Sequence, residues 1–552
     1  MRHINRGVGA AVLAISLAAS LVACTSDGSG DAAGVEVTEA QGPKVAEDAD
    51  GTGVETSELL LESAPVVVVA APDAEAQARG ASVAVGLRAP MFTAVPGGDE
   101  ELAEEVTRLG AERVLRVGEV GFEYDDGEVV DAPTERSDLE TFTGISFAGE
   151  DDIAESRIDD VTVHQNPGSP LLMRSGESSV SDEGDGADGG ENDGADGAST
   201  DVEPFEVGAP AWEGDDAPRV LVHDDTPVAS VATAVATGAA VTHLRAPDPR
   251  VDGGSVEAVR DAEVVYALGP DWGDDDQLAE RIELARTVPE LPGGGQLMFP
   301  GRRFVAAYGS PFTTALGILG EQGPEESVDR VEELVEQYQP HSPEPVIPAF
   351  EIIGTVAAGG PGDNGMYTNE WDPQEFAPLV DAITDAGGYA VIDLQPGRAD
   401  LLDQAKIFEE MLKRPGVGLA LDPEWKLQDG QQPGAQIGAV DAEEINRVIE
   451  WLADLTKESG GPQKLLILHQ FSTAMITNRD QIDTSRPELA IALHADGHGT
   501  PDLKLGTWDQ LRAGLSPDIW LAWKNFYDED TPTFTPEQTM AVEPRPWFVS
   551  YQ

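Results

Sequence analysis

The sequence is poor in cysteine, in basic residues and in long apolar runs. Cys24 is the single cysteine among 552 residues, so no disulfide can form within the chain. Only 34 Lys and Arg accompany 102 Asp and Glu, and the net charge of −68 repels phosphate backbones, which excludes nucleic acid as a partner. After residue 22 no apolar run is long enough to cross a bilayer. The length, in contrast, predicts roughly two to four domains.

The first 24 residues have the pattern of a bacterial export signal. Arg2 and Arg6 supply positive charge, and residues 7–22 form an apolar stretch that is short for a membrane span. The stretch ends in Leu-Val-Ala-Cys at Cys24, which resembles the lipobox of bacterial lipoproteins. The resemblance implies cleavage before Cys24, acylation of that residue and a location on the outer face of the cell membrane. The alternative is an ordinary signal peptide or anchor that contains a cysteine.

Two segments are too polar to bury a core. Residues 25–58 are rich in Gly, Ala, Asp, Glu and Thr, and we predict a solvated tether there. Residues 174–216 carry the run SDEGDGADGGENDGADGAST, which predicts an acidic disordered insert. Calcium repeats are the alternative for this run, but it has neither a regular period nor the EF-hand spacing.

Two α/β segments are predicted at 59–173 and 217–300. In each, an apolar strand is followed by an alanine-rich helix and further strands, a succession typical of parallel α/β units. The phrases LRAPMFTAV and LAEEVTRLGAERVLRVGEV, within 87–120, resemble the type-2 cell-wall-binding repeat of Gram-positive surface proteins. The resemblance is good over 60–120 and weaker over 217–285, and it implies non-covalent attachment to wall polymers. The alternative is a scaffold that binds nothing.

Residues 303–552 alternate between apolar strands and helical patterns. Eight such strands within about 250 residues match a (β/α)8 barrel of the TIM type. The predicted fold class is therefore α/β, with a C-terminal TIM-like barrel preceded by the two parallel α/β modules. An open doubly wound sheet is the alternative. The predicted strands lie at 304–308, 346–355, 389–395, 417–421, 465–469, 489–494, 519–523 and 547–551.

Polar residues collect at the C-terminal ends of these strands, where TIM barrels carry their active sites. Strand 4 is apolar until Asp422 and Glu424, which lie two residues apart and so share a face. Such a pair can divide catalytic labour, with Glu424 as a general acid of raised pKa and Asp422 as its ionised assistant. The other strand ends supply carboxylates, histidines and aromatic rings suited to a carbohydrate cleft. The residues predicted to bind substrate are Tyr308, Asp393, Gln395, Trp425, His469, Gln470, His494, Asp496 and Trp523.

An Asp-x-Glu at the end of barrel strand 4 resembles the strand-4 motif of chitinase-like and muramidase-like glycoside hydrolases. In those families the Glu is the acid and the Asp assists, sometimes with the acetamido group of the substrate as nucleophile. Chitinase-like motifs carry further Asp residues upstream on the strand, and residues 417–421 have none. The alternative for Asp422 and Glu424 is an ion pair at the barrel rim with Arg398 or Lys426.

A metal site is a further alternative at the end of strand 6. His494, Asp496 and His498 have a spacing that could bring three ligands together. Glycines on both sides of His498 favour a shaped loop instead. We therefore predict neither a metal ion nor another cofactor.

The barrel region also resembles a family of secreted actinobacterial lipoproteins, which implies a cell-envelope location. We expect a glycoside hydrolase, anchored to the membrane through Cys24, that acts on a cell-wall or extracellular polysaccharide. The first alternative is a non-catalytic lipoprotein that binds wall glycan. A metal-assisted hydrolase that uses the cluster at the end of strand 6 is the second.

Overall fold

The structure is a computed structural model of the chain. It describes residues 35–153, 161–162, 170–175, 205, 211–212, 214, 217–362, 365–428, 430–432 and 434–552. Cys24, the predicted lipidation site, and most of the predicted insert at 174–216 lie outside these residues. Across the part of the chain that is described, no helix is long and apolar enough to cross a membrane.

The first α/β segment contains a sheet of four parallel strands. Their spatial order is Met91–Thr93, Val66–Ala70, Arg113–Val117 and Glu128–Asp131. The helices of this segment are Ala74–Leu87, Asp99–Arg108 and Arg136–Thr143. The valines at 67–69 are fully buried, as expected for a strand of a parallel sheet that is covered on both faces. Gly149–Ile153 and Leu171–Ser175 form a separate parallel pair.

The second α/β segment contains another sheet of four parallel strands. Their order is Ala240–His243, Arg219–Val222, Val265–Leu268 and Lys44–Ala46. The helices are Val228–Thr237, Gly253–Arg260 and Asp275–Thr287. Both sheets lie against one apolar core, in which helices Ala74–Leu87 and Val228–Thr237 take part. The Met91 N–H donates a hydrogen bond to Thr233 Oγ1 at 3.0 Å and so joins the two segments.

The predicted tether at 25–58 is folded from residue 35 onward, which corrects that expectation. Lys44–Ala46 is the edge strand of the second sheet, and Glu36–Val37 pairs antiparallel with Leu61–Ser63. Helix Val54–Leu60 buries Leu60 completely. The strand Lys44–Ala46 finds its partner strand more than 200 residues away, so local composition does not reveal it.

The predicted barrel is confirmed. Its eight parallel strands are Arg303–Gly309, Val346–Ala357, Tyr389–Leu394, Val417–Leu421, Lys464–Gln470, Leu489–Ala495, Trp520–Asn525 and Phe548–Tyr551. Strand 1 pairs in parallel with both strand 2 and strand 8, so the sheet closes on itself and the open-sheet alternative is excluded. A short strand, Thr368–Glu370, pairs antiparallel with the C-terminal end of strand 2. Outside the barrel sheet, Val440–Asp441 pairs in parallel with Ile476–Thr477.

Helices surround the barrel on the outside. They are Pro324–Tyr338, Ala377–Asp385, Leu401–Ile407, Glu409–Leu412, Ala442–Glu458, Pro501–Arg512 and Pro536–Met540. Single 3-10 turns occur at Thr314–Leu316, Ile318–Gly320, Gln339–His341, Pro373–Glu375, Pro423–Trp425, Thr473–Met475 and Arg479–Gln481. The two short helices Leu401–Ile407 and Glu409–Leu412 meet at Phe408.

Side chains alternate along each strand between the barrel interior and the layer under the helices. On strand 5, Leu465 and Ile467 belong to the interior cluster, and Leu466 and Leu468 belong to the outer one. The interior is apolar in its N-terminal half and contains small residues such as Ala306 beside larger ones. It is therefore a packed core, and the open end lies at the C-terminal ends of the strands.

The segment 291–302 closes the N-terminal end of the barrel. The ring of Phe299 packs against aromatic residues at the starts of three strands: Phe304, Trp520 and Trp547. The Gln463 N–H donates a hydrogen bond to the Gln296 carbonyl at 2.9 Å. Arg302 is fully buried and donates to two carbonyl oxygens of the same segment. The barrel therefore includes residues that precede the predicted boundary at 303.

Candidate functional site

Each barrel strand contributes one polar side chain to a layer inside the barrel, above the apolar core. The eight residues are Tyr308, Glu351, Asp393, Asp422, His469, His494, Lys524 and Ser550. None of them is more than 4 % exposed. Burial of ionised groups is costly unless opposite charges and hydrogen bonds compensate for it. The layer contains such partners, and we name it the polar layer.

A pocket of about 370 Å³ lies above the polar layer, at the C-terminal end of the barrel. It is lined by both carboxylates of strand 4, one of strand 6, a lysine and several aromatic rings. The full lining comprises Tyr308, Leu316, Ile353, Gln395, Asp422, Glu424, Trp425, Phe471, Asp496, Gly497, His498, Leu503, Thr507, Lys524, Phe526 and Gln552. The predicted site residues Tyr308, Gln395, Asp422, Glu424, Trp425 and Asp496 therefore come together in one cavity.

A tight turn after strand 4 holds Glu424 at the pocket. Residues Pro423–Trp425 form a 3-10 turn, and Asp422 Oδ1 accepts a hydrogen bond from the Glu424 N–H at 3.2 Å. Gly438 supports the turn from below, since its N–H donates to the Glu424 carbonyl at 2.7 Å. A Cβ at Gly438 would lie 2.4 Å from that carbonyl oxygen, so only glycine fits without a shift of the turn.

His469 lies at the centre of the polar layer. Its Nδ1 is 3.1 Å from Asp496 Oδ2, and its Nε2 is 2.8 Å from Glu351 Oε1. Both ring nitrogens face carboxylate oxygens, so both carry protons. Asp393 Oδ1 lies 3.9 Å from the same Nε2, and the Tyr308 hydroxyl donates to Asp393 Oδ2 at 2.9 Å. His469 thus connects strands 2, 3 and 6 through their carboxylates.

The charges of this network divide its acids into two groups. Burial is the largest effect on Glu351 and would raise its pKa, but the charge and hydrogen bond of His469 and the other positive groups nearby together outweigh burial and hold that pKa at about 2. Burial would likewise raise the pKa of Asp496, but the hydrogen bond from His469 lowers it. The pKa of His469 is correspondingly raised well above its ordinary value, because Glu351 and Asp393 outweigh the effect of burial. Glu351 and Asp496 are therefore ionised beside an imidazolium.

The second group holds its protons more tightly. Burial raises the pKa of Asp393 to about 6, and the charge of Glu351 adds to the effect. Burial raises the pKa of Asp422 well above its usual range, and Asp393 and Asp496 add repulsion. Burial, with repulsion from Asp496, also raises the pKa of Glu424. The expected acid character of Glu424 agrees with this direction, whereas Asp422 holds a proton where an ionised assistant was expected.

His494 differs from His469 although it lies on the neighbouring strand. Burial and the charge of His469 lower the pKa of His494 to about 3, so its ring is neutral. Its Nε2 is 3.2 Å from Ser550 Oγ, and its Nδ1 is 3.7 Å from Glu351 Oε1. His494, His469 and the carboxyl of Asp393 lie beneath the pocket and do not line it. Their predicted role as direct substrate contacts does not match this position.

Two predicted substrate-binding residues face away from the pocket. Gln470 and Trp523 lie on the outer face of their strands, and Trp523 packs under a helix with its ring 5.5 Å from that of Trp508. The residues that point into the barrel are their sequence neighbours: His469 beside Gln470 and Lys524 beside Trp523. The prediction for Gln470 and Trp523 is corrected, because two adjacent residues of a strand point to opposite faces.

The geometry supports neither the rim ion pair considered for Asp422 and Glu424 nor the metal site considered at the end of strand 6. Among the described residues, neither Asp422 nor Glu424 forms an ion pair with Arg398 or Lys426, and Lys426 Nζ instead binds Glu444 at 2.5 Å. The end of strand 6 does not form one ligand cluster. His494 points into the barrel, whereas the ring of His498 lies at the pocket.

Three residues of the polar layer were not predicted as site residues: Glu351, Lys524 and Ser550. Glu351 is the only charged residue in the 12-residue strand Val346–Ala357, and Lys524 is the only one in Trp520–Asn525. A lone charge within an apolar strand is the signal that could have identified them. Ser550 has no comparable signal in the sequence.

Comparison with known proteins gives a distant structural likeness. Neither a protein-family model nor a curated protein sequence matches the chain. Among solved structures, the chain is similar to Cwp6 from Clostridium difficile, with a TM-score of 0.31 and 12% sequence identity. The match covers 61% of this chain and 66% of that chain, just under two thirds of its length.

Proposed function

We propose that this chain is a lipid-anchored protein of the cell envelope whose barrel hydrolyses a glycan. The observation that carries the proposal is the position of Glu424. Its carboxyl lines a pocket at the C-terminal end of a barrel, and its pKa is raised by burial and by Asp496. A carboxylic acid whose pKa is raised keeps its proton to a higher pH and can protonate the leaving oxygen of a glycosidic bond.

Asp496 is the second carboxylate in this proposal. It lines the same pocket as Glu424, two strands further along the barrel, and His469 fixes its Oδ2 at 3.1 Å. Its Oδ1 has no hydrogen-bond partner among the described residues. Asp496 then assists at the anomeric carbon, either directly or through a water molecule.

Asp422 takes the role of a hydrogen-bond donor to the substrate. Its raised pKa keeps a proton on the carboxyl, and its position in the lining gives that proton access to the pocket. The carbonyl oxygen of an acetamido group is a suitable acceptor. This role differs from charge stabilisation, which needs an ionised group.

The remaining lining suits a sugar. Trp425, Phe471 and Phe526 offer aromatic faces, and Gln395 and His498 offer hydrogen-bonding groups. Aromatic faces with a few polar groups are typical of small-molecule pockets that orient their ligand. The pocket volume, about 370 Å³, is near the lower end of the range of about 300–1,000 Å³ for such sites. It favours a short stretch of a glycan.

The envelope location rests on the sequence. The lipobox-like segment ending at Cys24 would anchor the chain, and the two α/β segments would attach to wall polymers. A Cys24→Ala variant in the producing cell tests the anchor. We expect it to lose incorporation of a labelled fatty acid and to leave the membrane fraction. Retention of the label in Cys24→Ala would contradict acylation at that residue.

The hydrolytic role is tested with the full chain on purified sacculi and on chitin-type oligosaccharides. New reducing ends are measured for the wild type, for Glu424→Gln and for a control, Glu458→Gln, which alters an exposed glutamate at the end of a helix. Loss of a general acid costs about 10²- to 10⁴-fold in rate, so Glu424→Gln should lose that much activity and the control none.

Two outcomes would contradict the proposed glycan hydrolysis with Glu424 as the acid. Equal activity of Glu424→Gln and the wild type would remove Glu424 as the acid. Glycan binding without any new reducing ends in the wild type would favour the alternative, a non-catalytic lipoprotein that binds wall glycan.

A further inference from the structure

Three side chains of the polar layer converge on one point beneath the pocket. Glu351 on strand 2, His469 on strand 5 and His494 on strand 6 each offer one ligand atom, and these atoms all lie within 4.8 Å of one another. All three residues are fully buried. Two imidazoles and one carboxylate are a donor set that Zn²⁺ accepts in proteins.

Two atoms of this triad lack hydrogen-bond partners among the described residues. They are Nδ1 of His494 and Oε2 of Glu351. His494 Nδ1 faces Glu351 Oε1 across 3.7 Å, which is too long for a hydrogen bond. Buried polar atoms in folded proteins nearly always have a partner, and a metal ion between His494 Nδ1 and the Glu351 carboxylate would supply one to both.

The spacing of the triad is close to that of metal ligands. A tetrahedral Zn²⁺ ion with bonds of about 2.0–2.2 Å separates its ligand atoms by about 3.3–3.6 Å. Glu351 Oε1 lies 2.8 Å from His469 Nε2 and 3.7 Å from His494 Nδ1. These two distances lie on either side of the tetrahedral value, and the three ligand atoms all lie within 4.8 Å of one another, so side-chain shifts of about 1 Å would bring them into range.

In each imidazole, the ring nitrogen that faces away from the triad lies near an oxygen of a neighbouring side chain, as in known metal sites. Ligating histidines usually donate their other ring N–H to a carboxylate or another oxygen, which fixes the ring and its tautomer. Here His469 Nδ1 lies 3.1 Å from Asp496 Oδ2, and His494 Nε2 lies 3.2 Å from Ser550 Oγ. His469 Nε2 and His494 Nδ1 are therefore the nitrogens left for an ion.

We propose that Glu351, His469 and His494 bind one Zn²⁺ ion beneath the pocket, a site that is independent of the proposed glycan hydrolysis. The ion takes the place of the proton between His469 Nε2 and Glu351 Oε1. It leaves the hydrogen bond between His469 Nδ1 and Asp496 intact. Because Asp496 also lines the pocket, the ion fixes one wall of the pocket from below.

The test is a zinc titration of the purified full chain after treatment with a chelator and gel filtration. A chromophoric zinc chelator competes for the ion, and 0.5 M NaCl with excess Mg²⁺ suppresses adventitious binding to a surface of high negative charge. We expect one tightly bound Zn²⁺ per chain. Anomalous scattering at the zinc edge should place it between the three side chains.

Three variants connect the binding to the triad. Glu351→Gln and His494→Gln should each lose the tight site, and Asp496→Asn should weaken it by about 10- to 100-fold, as expected for an outer partner of a ligand. The matched control is His498→Gln, which alters a histidine at the pocket beside the same strand and should leave zinc affinity unchanged. Circular dichroism of each variant verifies the fold.

Thermal unfolding keeps the test informative if a variant is unstable. Zinc that binds only the native chain must raise the midpoint of unfolding of the wild type and of His498→Gln, and not that of Glu351→Gln. Absence of stoichiometric zinc in the wild type would overturn the proposal. Equal zinc affinity in the wild type, Glu351→Gln and His494→Gln would do the same, since the ion would then lie elsewhere.

Discussion

The ammonium of Lys524 lies 3.5 Å from the centroid of the Tyr308 ring, inside the barrel. A cation over an aromatic face is attracted by the ring, and the attraction grows where water is excluded. Lys524 is the one Lys or Arg among the described residues that line the pocket. It therefore holds a positive charge beside a group of carboxylates and influences their protonation.

Lys524→Met should move the pH dependence of hydrolysis. Glu424 acts in its protonated form in our proposal, so the rate falls as the pH rises through its pKa. Lys524 lowers that pKa, and removal of the lysine charge therefore raises it. We expect the basic limb of the pH–rate profile to shift to higher pH. The control is Lys457→Met, whose side chain is 72% exposed. A basic limb that does not shift in Lys524→Met would contradict Glu424 as the general acid.

Tyr308→Phe should destabilise the fold in a pH-dependent way. The Tyr308 hydroxyl donates to Asp393 Oδ2, and loss of a partner for a buried acceptor costs about 1–3 kcal/mol. The hydrogen bond favours the ionised carboxyl, and the pKa of Asp393 is about 6. The loss of unfolding free energy in Tyr308→Phe should thus be larger at pH 8 than at pH 5. It is measured by chemical denaturation in the presence of EDTA. A larger loss at pH 5 would contradict this sign, and Tyr124→Phe serves as the control.

Asp422→Asn should become relatively more stable as the pH rises. In the unfolded chain Asp422 ionises near its ordinary pKa of about 4, whereas burial raises its pKa in the folded state. The folded wild type therefore binds the extra proton between these two pKa values, and its stability falls as the pH rises through this window. Asparagine does not titrate, so the Asp422→Asn variant does not lose unfolding free energy in this way as the pH rises.

The measurement is the unfolding free energy of Asp422→Asn minus that of the wild type at pH 5, 7 and 9. The difference should increase with pH, while the exposed-residue control Asp528→Asn should show a flat difference. A difference for Asp422→Asn that decreases with pH would show that Asp422 is ionised in the fold.

Gly438→Ala should disturb the turn that carries Glu424. The new Cβ would lie 2.4 Å from the carbonyl oxygens of Glu424 and Lys426, so one of the two segments must move. We expect a loss of about 1–3 kcal/mol of stability from overpacking, together with a reduced kcat. The control is Gly506→Ala in an exposed helix, where a Cβ meets nothing within 4 Å and should be neutral or slightly stabilising. Full activity of Gly438→Ala would show that the turn does not position Glu424.

The barrel could be predicted because its strands and helices are encoded locally. Each strand is a short apolar run bounded by turn residues, and the order of strands along a parallel barrel follows the order along the chain. The edge strand Lys44–Ala46 could not be predicted in this way, because its partner Val265–Leu268 is distant in sequence. Its few apolar residues lie in a segment whose composition predicts disorder.

The polar layer was only partly predictable, since alternation shows which residues share a face but not which face points inward. On strand 5 the adjacent His469 and Gln470 are both polar, and on strand 7 Trp523 and Lys524 both suit a binding site. In each pair one residue lies inside the barrel and the other on its outer face: Trp523 packs in the outer apolar cluster, and Gln470 bonds Ser472 and Arg479. The choice depends on the register with neighbouring strands, which a single sequence does not contain.

The segment 291–302 gives the chain a mechanical property. In the proposed function the chain is anchored on its N-terminal side while the barrel binds a glycan, and this segment would then transmit force to the barrel. The Phe299 ring and the Gln296–Gln463 hydrogen bond are contacts that hold the segment on the barrel. Extraction of Phe299 would expose Phe304, Trp520 and Trp547 at the starts of three strands, so the residues that complete the core also join it to the preceding part of the chain.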